Sequence, residues 1–384
     1  MQKKLGEIIF SLFSDVRLNV TLTFNVKPAC LDLAEPRQKS ETFLEDLAPV
    51  SNLSQKAKQA QVQSQESIDT YAEWDTWETI NAVKSAIELF HNVNMVEANE
   101  NAFEQLRESR PDIVFNIAEG FNGISREAQI PSMLDMLRIP YTGSDPLTLA
   151  TCLDKARTKE ILSYYKIPNT RFMQVDQIEQ VKNLKISFPL IVKPISEGSS
   201  KGIFTSSLVK DLPELRKEVE RILNEYNQPV IIEEFLPGRE FTTAIIGNGD
   251  EAEVLPIVEI SYNDFPEDFV PIYSYEAKWI LDTKENPLEV FSCPAKISRQ
   301  LEGKIKSVAL RTYNILRCKD WSRIDVRLDK NGEANIIEVN PLPGILPNPE
   351  ENSCFPKAAR AAGLAYNDII NKVLFAAAKR YKLI

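Results

Sequence analysis

Asn331-Gly332 lies between two short runs, Ile324 to Leu328 and Asn335 to Val339, in which apolar and polar residues alternate. Asn-Gly in that setting is the strongest short-range signal for a β-hairpin, because both residues tolerate the positive φ of a tight turn. A hairpin from Trp321 to Asn340 fixes which side chains can meet. Successive strand residues point to opposite faces, so Arg323, Asp325 and Arg327 share one face. Glu338 and Asn340 share a face of the returning strand for the same reason. If the two faces coincide, three oxygen donors (Asp325, Glu338, Asn340) converge beside the guanidinium of Arg323. Hard oxygen donors suit Mg²⁺, which takes carboxylates plus a substrate's phosphates in preference to an all-protein cage. The same residues could instead make a surface hairpin with solvated charges. Pro341-Leu-Pro-Gly344 follows at once. A rigid loop ending in glycine lets backbone approach a substrate closely, which favours the metal reading.

Composition excludes several other chemistries. A net charge of −10 argues against general nucleic-acid affinity, which depends on neutralising phosphates. It leaves room for a local basic pocket. Five cysteines (Cys30, Cys152, Cys293, Cys318, Cys354) are scattered without a C-x-x-C pair, which fits a reduced cytoplasm and offers no zinc site. The single histidine, His91, argues against histidine-based metal or triad chemistry. No apolar run reaches the roughly 18 residues of a membrane span. Lys3-Lys4 and the short apolar stretch Ile8 to Phe13 imitate a signal peptide only faintly, with no small-residue cleavage site after them. The expectation is a cytoplasmic protein with small-molecule partners, without nucleic acid or membrane. With 384 residues, two or three domains are expected.

Four segments are expected: an extension at 1–17, an N-terminal α/β unit at 18–150, a central unit at 151–240 and a C-terminal unit at 241–384. Residues 1–17 read as a short amphipathic helix. Leu18 to Phe24 alternates and reads as the first strand. Residues 29–70 are rich in Gln, Ser, Lys and Glu with few large apolar groups, and read as a mobile insertion. Asp75 with Glu78 marks a helix start, followed by the stripe Trp77, Ile80, Val83, Ile87 and Phe90. Strands at Asn94–Glu97 and Asp112–Ile117 flank a helix at Asn101–Glu108, and such alternation argues a parallel sheet. Ala118 to Gly123, which contains Glu119, then occupies the carboxyl end of a strand, where open α/β sheets place ligands. Ser125 to Leu137 reads as a helix interrupted at Pro131. A single helix is expected to carry Leu149, Leu153 and Leu162, with Asp154, Lys155 and Lys159 on its polar side.

The next block changes style. Phe188 to Pro194 is a strand carrying Lys193, and Glu197-Gly-Ser-Ser-Lys-Gly202 is a Gly/Ser loop leading to a short strand at Ile203–Ser206. A helix at Leu212–Tyr226 and strands at Val230–Leu236 and Glu240–Ile246 follow. This order is α+β. The glycine loop joins strand to strand, so it is neither a Walker loop nor a dinucleotide fingerprint, though its N–H groups can still wrap phosphate oxygens. Lys296–Leu316 reads as a helix, and Ala358–Ala362 and Tyr366–Lys379 as closing helices.

Taken together, these pieces resemble the ATP-grasp superfamily, and within it the D-alanine–D-alanine ligases. The resemblance runs from about Asp112 to the C-terminus. It is carried by Tyr141-Thr-Gly-Ser144, Leu153-Asp-Lys155, Ile191-Val-Lys-Pro194 with Glu197-Gly-Ser-Ser200, and Ile232-Glu-Glu-Phe-Leu236. Arg239-Glu-Phe-Thr242, Tyr275-Glu-Ala-Lys278, Arg323-Ile-Asp-Val326, Ile337-Glu-Val-Asn-Pro341 and Ala358 to Gly363 complete it. No one motif is specific, but their joint order and spacing are. The resemblance implies an ATP-grasp fold behind an α/β preATP-grasp domain, with ATP between the last two domains. Lys155 and Lys193 would contact phosphates, with Glu197, Gly198 and Ser200 closing over the γ-phosphate. Glu233, Glu234, Phe235 and Leu236 would line the adenine side, and Glu240 would hold the ribose. Asp325, Glu338 and Asn340 would bind two Mg²⁺, with Mn²⁺ as an alternative. Arg323 and the Gly344 backbone would hold the oxyanion, and Ser199 and Lys278 would complete the catalytic set. Glu73, Trp279, Ser353 and Cys354 would touch the amino acids. The family's reaction is carboxylate–amine ligation through an acylphosphate in peptidoglycan biosynthesis, by enzymes that are commonly homodimers.

Three departures fall where the amino acids bind. Asn25-Val-Lys-Pro28 replaces the usual Gly-Gly-x-Ser loop, so Glu73 only approximates the family's ammonium-holding glutamate. Trp279 replaces a tyrosine. The loop Ile345 to Asn352 before Ser353 is longer than usual. Nucleotide chemistry therefore transfers better than substrate identity. The alternatives are a ligase that joins other amino acids or a peptide, and a nucleotide-binding regulatory protein without catalysis.

Overall fold

The computed structural model describes residues 16–28, 69–262, 271–281 and 290–384. The expected N-terminal helix and most of the expected insertion at 29–70 lie outside those residues. Its last part does not: Asp69 is buried, and its carboxylate accepts hydrogen bonds from Gly202 N at 2.8 Å and the Tyr226 hydroxyl at 2.6 Å. The described chain thus resumes already packed, two residues before Tyr71.

Three strands, β1 (Asn19–Phe24), β2 (Asn92–Glu97) and β3 (Ile113–Asn116), form a parallel sheet in the order β2-β1-β3. Helices α1 (Trp77–Glu88) and α2 (Ala102–Ser109) make the crossovers. The N-cap of α1 is Thr76, one residue later than the expected Asp75. Ile80, Val83 and Ile87 face the core as their spacing requires, but Trp77 is 52% exposed and Phe90 lies past the helix end. After the short 3-10 turn Arg126–Ala128, helix α3 (Gln129–Leu137) begins; its Pro131 sits in the first turn, where no N–H is needed.

The expected single helix around Leu149–Leu162 is two, α4 (Pro146–Leu153) and α5 (Lys155–Tyr164). Asp154, at φ −79° and ψ 101°, ends the first and caps the second by accepting from Arg157 N at 2.9 Å. The change of axis buries Lys155 and Lys159, which a continuous amphipathic helix would have exposed.

Strands β4 (Phe172–Val175), β5 (Leu190–Pro194), β6 (Leu208–Val209) and β7 (Val230–Glu234) form an antiparallel sheet in the order β4-β7-β5-β6. Helix α6 (Leu212–Tyr226) covers it through Leu215, Val219 and Ile222, each fully buried. Burial of such side chains contributes about 1.5–3 kcal/mol apiece. The expected strand at Ile203–Ser206 does not form. Gly202 N is spent on Asp69 and Ile203 N on Ser200 O, so the chain turns through Thr205–Ser207 before β6.

The last sheet comprises β8 (Glu240–Ile246), β9 (Glu253–Val254), β10 (Val258–Ile260), β11 (Phe291–Ser292), β12 (Trp321–Leu328) and β13 (Ala334–Asn340). Its order is β11-β10-β8-β12-β13, with β9 on β8. Glu240, expected to close the central unit, thus belongs to this sheet. Helix α7 (Arg299–Ile315) packs with Phe241, Ile324, Val326 and Ile336. Helix α8 (Cys354–Ala361) packs on β8 and β10, and helix α9 (Tyr366–Arg380) on α1, within one core that also takes in the parallel sheet. Trp321 sits at that junction, edge-on to Phe115 and Phe355 with ring centroids 5.7 Å apart in both cases. Among the described residues no helix is long and apolar enough to cross a membrane.

Candidate active site

The β12–β13 hairpin has the pairing its sequence predicts. Arg323 faces Asn340 and Asp325 faces Glu338, with a bulge between Asp325 and Val326. Directly opposed residues share a face, so the three oxygen donors and Arg323 do converge. Arg323 donates to Asp325 Oδ2 at 3.1 Å, and the Asn340 amide lies 3.4 Å from the same atom. Glu338 pairs with Lys155 Nζ at 2.9 Å. Burial pushes the Glu338 carboxyl up, but Lys155, Lys193 and Arg323 outweigh it and hold it down at about 2. Among the described residues no cluster of three or more His, Cys, Asp or Glu side chains could cage a metal. Two carboxylates and an amide oxygen, each carboxylate already facing a cation, instead fit an ion shared with a polyphosphate.

The hairpin forms one wall of a cleft of about 350 Å³ whose other wall is the four-stranded sheet. Lys193, Ser199, Ser200, Glu233, Glu234, Phe235, Leu236, Glu240, Lys278, Arg323, Asp325, Glu338, Gly344, Ser353, Cys354 and Glu73 all line it. Lys155 lines a small adjoining cavity with Glu338. Glu233 is buried and accepts from Thr170 Oγ1 at 2.8 Å, with Lys159 at 3.2 Å from the same oxygen. Its burial opposes ionisation, but Lys159 and Lys193 keep its carboxyl below the usual value. Its other oxygen has Lys193 at 3.6 Å, too far for a hydrogen bond, and accepts none among the described residues. A buried acceptor facing a cleft calls for a donor on the ligand. Glu240 faces Arg327 across β8 and β12, accepting from it at 2.7 Å and from the Tyr262 hydroxyl at 3.0 Å. Arg327 in turn stacks on Phe235, 4.7 Å from the ring centroid.

Glu197 and Gly198 do not line the cleft, contrary to their expected place at the cofactor. Glu197 bonds Lys201 at 2.7 Å, Gln228 at 2.8 Å and Arg126 at 3.2 Å. Gly198 N donates to Glu73 Oε1 at 2.8 Å. Ser200 Oγ donates to Tyr273 O at 2.8 Å. The expected ammonium holder, Glu73, lines the cleft, but its carboxylate is taken by Arg126 at 2.6 Å and lies 3.6 Å from Lys201.

Asp75 also lines the cleft, and among the described residues no side chain makes a hydrogen bond or ion pair with its carboxylate; burial pushes that carboxyl up to about 7 against the pull of Lys27. Lys278 is pushed down to about 8 by burial, with Arg323 adding to the effect. Burial pushes the Cys354 thiol up to about 12 against the pull of Arg323, which favours the neutral thiol. Ser353 Oγ is tied to Gly344 O and Leu346 N, both at 3.2 Å, and braces the long loop after Gly344. The Trp279 side chain lies outside the described residues.

Reading the sequence missed Arg126, Lys201, Lys159 as partner of Glu233, and Asp75 as a cleft residue. Lys201 stands inside the glycine loop and could have been weighed. Arg126 had no local signal, since its partners lie 53 and 71 positions away.

Residues 160–375 match the family model described as D-ala D-ala ligase C-terminus. The chain is 34% identical over 270 residues to the uncharacterized protein y4sG of Sinorhizobium fredii, covering 70% of this chain and 75% of that one. It is 32% identical over 289 residues to the D-alanine–D-alanine ligase of Pelotomaculum thermopropionicum, covering 73% and 84%. With the corresponding ligase of Actinobacillus pleuropneumoniae serotype 5b it shares 33% over 298 residues, covering 76% and 90%. The fold is similar to D-alanine–D-alanine ligase from Bacillus anthracis complexed with ATP, at TM-score 0.63 and 20% identity, covering 95% and 99%. VanG D-Ala:D-Ser ligase from Enterococcus faecalis gives TM-score 0.64 at 19% identity, covering 94% and 100%.

Proposed function

The chain belongs to the D-alanine–D-alanine ligase family, and from that premise we propose that it joins two amino acids, D-alanine or a close analogue in each place, through an acylphosphate. It is an ATP-dependent ligase on the ATP-grasp fold. One observation carries the reading: the orphaned Glu233 oxygen, Lys193 and the Asp325–Glu338 face of the hairpin meet in a single cleft.

Adenine sits by Glu233, Glu234, Phe235 and Leu236, and the ribose by Glu240 once it shares that carboxylate with Arg327. Lys155 and Lys193 hold phosphate oxygens. Asp325, Glu338 and Asn340 hold Mg²⁺, which when bound neutralises charge on the transferring phosphoryl group; Mn²⁺ suits the same donors. The donor's carboxylate oxygen attacks the γ-phosphorus and ADP leaves. The acceptor's amine then attacks the acyl carbon, loses a proton, and phosphate leaves. Arg323 and the Gly344 N–H stabilise the oxyanion formed in that second step. No covalent nucleophile is required, consistent with a thiol held neutral at Cys354. Positioning and charge neutralisation carry the reaction.

The test is a screen of amino-acid pairs for ATP-dependent phosphate release, with product mass as the readout. D-Alanine with D-alanine is expected to give a dipeptide. Another productive pair would transfer the reading to other substrates. ATP binding with no condensed product from any pair would leave the regulatory alternative.

The charge states at the substrate end predict a pH optimum. Asp75 is the carboxylate free to hold the donor's ammonium, and it is ionised only above about 7. Lys278 holds the acceptor's carboxylate as a cation, and it is charged only below about 8. The profile of kcat/KM, which reports the free enzyme, is therefore expected to be bell-shaped between those values. Asp75→Asn should lower kcat/KM and flatten the acid limb. An acid limb that persists unchanged in that variant would remove Asp75 from the role.

A further inference from the structure

Arg126 reaches from the turn before α3 across to the glycine loop. One guanidinium nitrogen lies 2.6 and 2.8 Å from the two Glu73 oxygens, and Nε lies 3.2 Å from Glu73 Oε2. Another nitrogen donates to Ser196 O at 2.8 Å, just before the loop, and a contact at 3.2 Å joins the guanidinium to Glu197. From the far end of the loop, Lys201 returns to Glu197 and Glu73. None of these four side chains is more than 11% exposed. Two cations face two carboxylates, and both Glu73 oxygens are already engaged, by Arg126 and by the Gly198 N–H.

We propose that Arg126 and Glu73 form a clamp that pins the glycine loop over the transferring phosphate, Arg126 acting as a positioning residue. The functional consequence rests on the ligase reading above; the clamp itself does not.

The loop needs such a clamp on conformational grounds. Ser199 and Ser200 both have positive φ, 49° and 62°, in the left-handed region that side chains disfavour. Consecutive residues held there persist only when contacts around them fix the backbone. The Gly198 N–H to Glu73 bond fixes one end, and the Gly202 N–H to Asp69 bond fixes the other. A Cβ added at Gly198 would collide with Glu73 Oε1, so a side chain here would have to displace the carboxylate that Arg126 holds. With the loop down, water is kept from the acylphosphate until the amine attacks. With the loop loosened, hydrolysis competes, and phosphate is released without peptide.

Two readouts separate the clamp from the reaction. In the ligand-free full-length protein, amide hydrogen exchange over residues 196–203 is expected to be at least tenfold faster in Arg126→Gln, with exchange in β5 and β7 unchanged. With ATP and the productive amino-acid pair, the ratio of phosphate to peptide should rise from near one to several-fold excess. Arg126→Lys should fall between, since it keeps the charge and loses the fork. Removing one member of a buried pair can unfold a protein, so the double variant Arg126→Leu/Glu73→Leu is made alongside; it leaves no isolated charge and should give the same fast loop exchange. Unchanged loop exchange in whichever of these variants folds would overturn the clamp, whatever the reaction proves to be. Fast exchange with a phosphate-to-peptide ratio that stays near one would overturn its role in coupling. A wild-type protein that makes no condensed product would instead count against the ligase reading and leave the exchange result standing.

Discussion

Glu338→Ala is expected to fold and to lose nearly all turnover, on the order of 10³-fold or more, equivalent to about 4 kcal/mol of transition-state stabilisation. The size follows from position. Glu338 faces Asp325 across the hairpin and Lys155 from the side, so it is the carboxylate around which the charges at the phosphate end are arranged. Held at about 2, it is an anion at every working pH. Its loss removes one of two carboxylate donors and leaves the buried Lys155 ammonium without its anion. Breaking such a pair destabilises, so thermal unfolding has to be read beside activity. Glu338→Gln keeps the shape and one oxygen, and should fold at least as well as the alanine variant while remaining nearly as inactive. Binding of Mn²⁺ in the presence of a non-hydrolysable ATP analogue should weaken at least tenfold in both variants. Near-normal turnover in a folded Glu338→Ala protein would refute the metal assignment.

Much of this site was legible because it is local. The hairpin face of Arg323, Asp325, Glu338 and Asn340 was read from a two-residue period and one Asn-Gly turn, and the bulge between Asp325 and Val326, which neither signals, is what sets Asp325 opposite Glu338. What was not legible depends on contacts between distant segments. Asp154 reads as one more polar residue on a helix, but its extended backbone splits that helix and turns Lys155 and Lys159 inward. Glu73 and Asp75 lie two residues apart on one loop, and sequence alone does not say which faces the cleft free. Arg126, which takes Glu73, comes from a separate turn and decides between them. The strand expected at Ile203–Ser206 had the right residues. It was overruled by Asp69, which takes the Gly202 N–H from a segment expected to be mobile. Helix starts slipped by a residue where two side chains could cap, as at Asp75 and Thr76.

Arg323→Ala is expected to reduce kcat about 10²–10³-fold, the usual cost of removing one oxyanion donor, with little change in KM for ATP. Arg323 lines the cleft on the hairpin face that carries Asp325 and Glu338, and Gly344 lines the same cleft. Burial opposes its charge, but Asp325, Cys354 and Glu338 together outweigh this and raise its affinity for the proton, so it remains a cation. Its fork is already oriented, with Nε and one terminal nitrogen both within 3.3 Å of Asp325, so little reorganisation is needed when charge develops on the substrate. Lysine at this position supplies a point charge without that geometry, and Arg323→Lys should recover only a small part of the loss. If Arg323 served only to neutralise Asp325, lysine would restore most of the activity, and the oxyanion role would fall. The two chemical steps can also be separated. Phosphoryl transfer to the donor precedes the tetrahedral oxyanion, so Arg323→Ala should still form acylphosphate. Hydroxylamine added with ATP and donor alone traps that species as a hydroxamate. The variant should therefore keep most of its hydroxamate yield while its peptide yield collapses. An equal fall in both would place Arg323 at the first step instead, beside the phosphate-binding lysines.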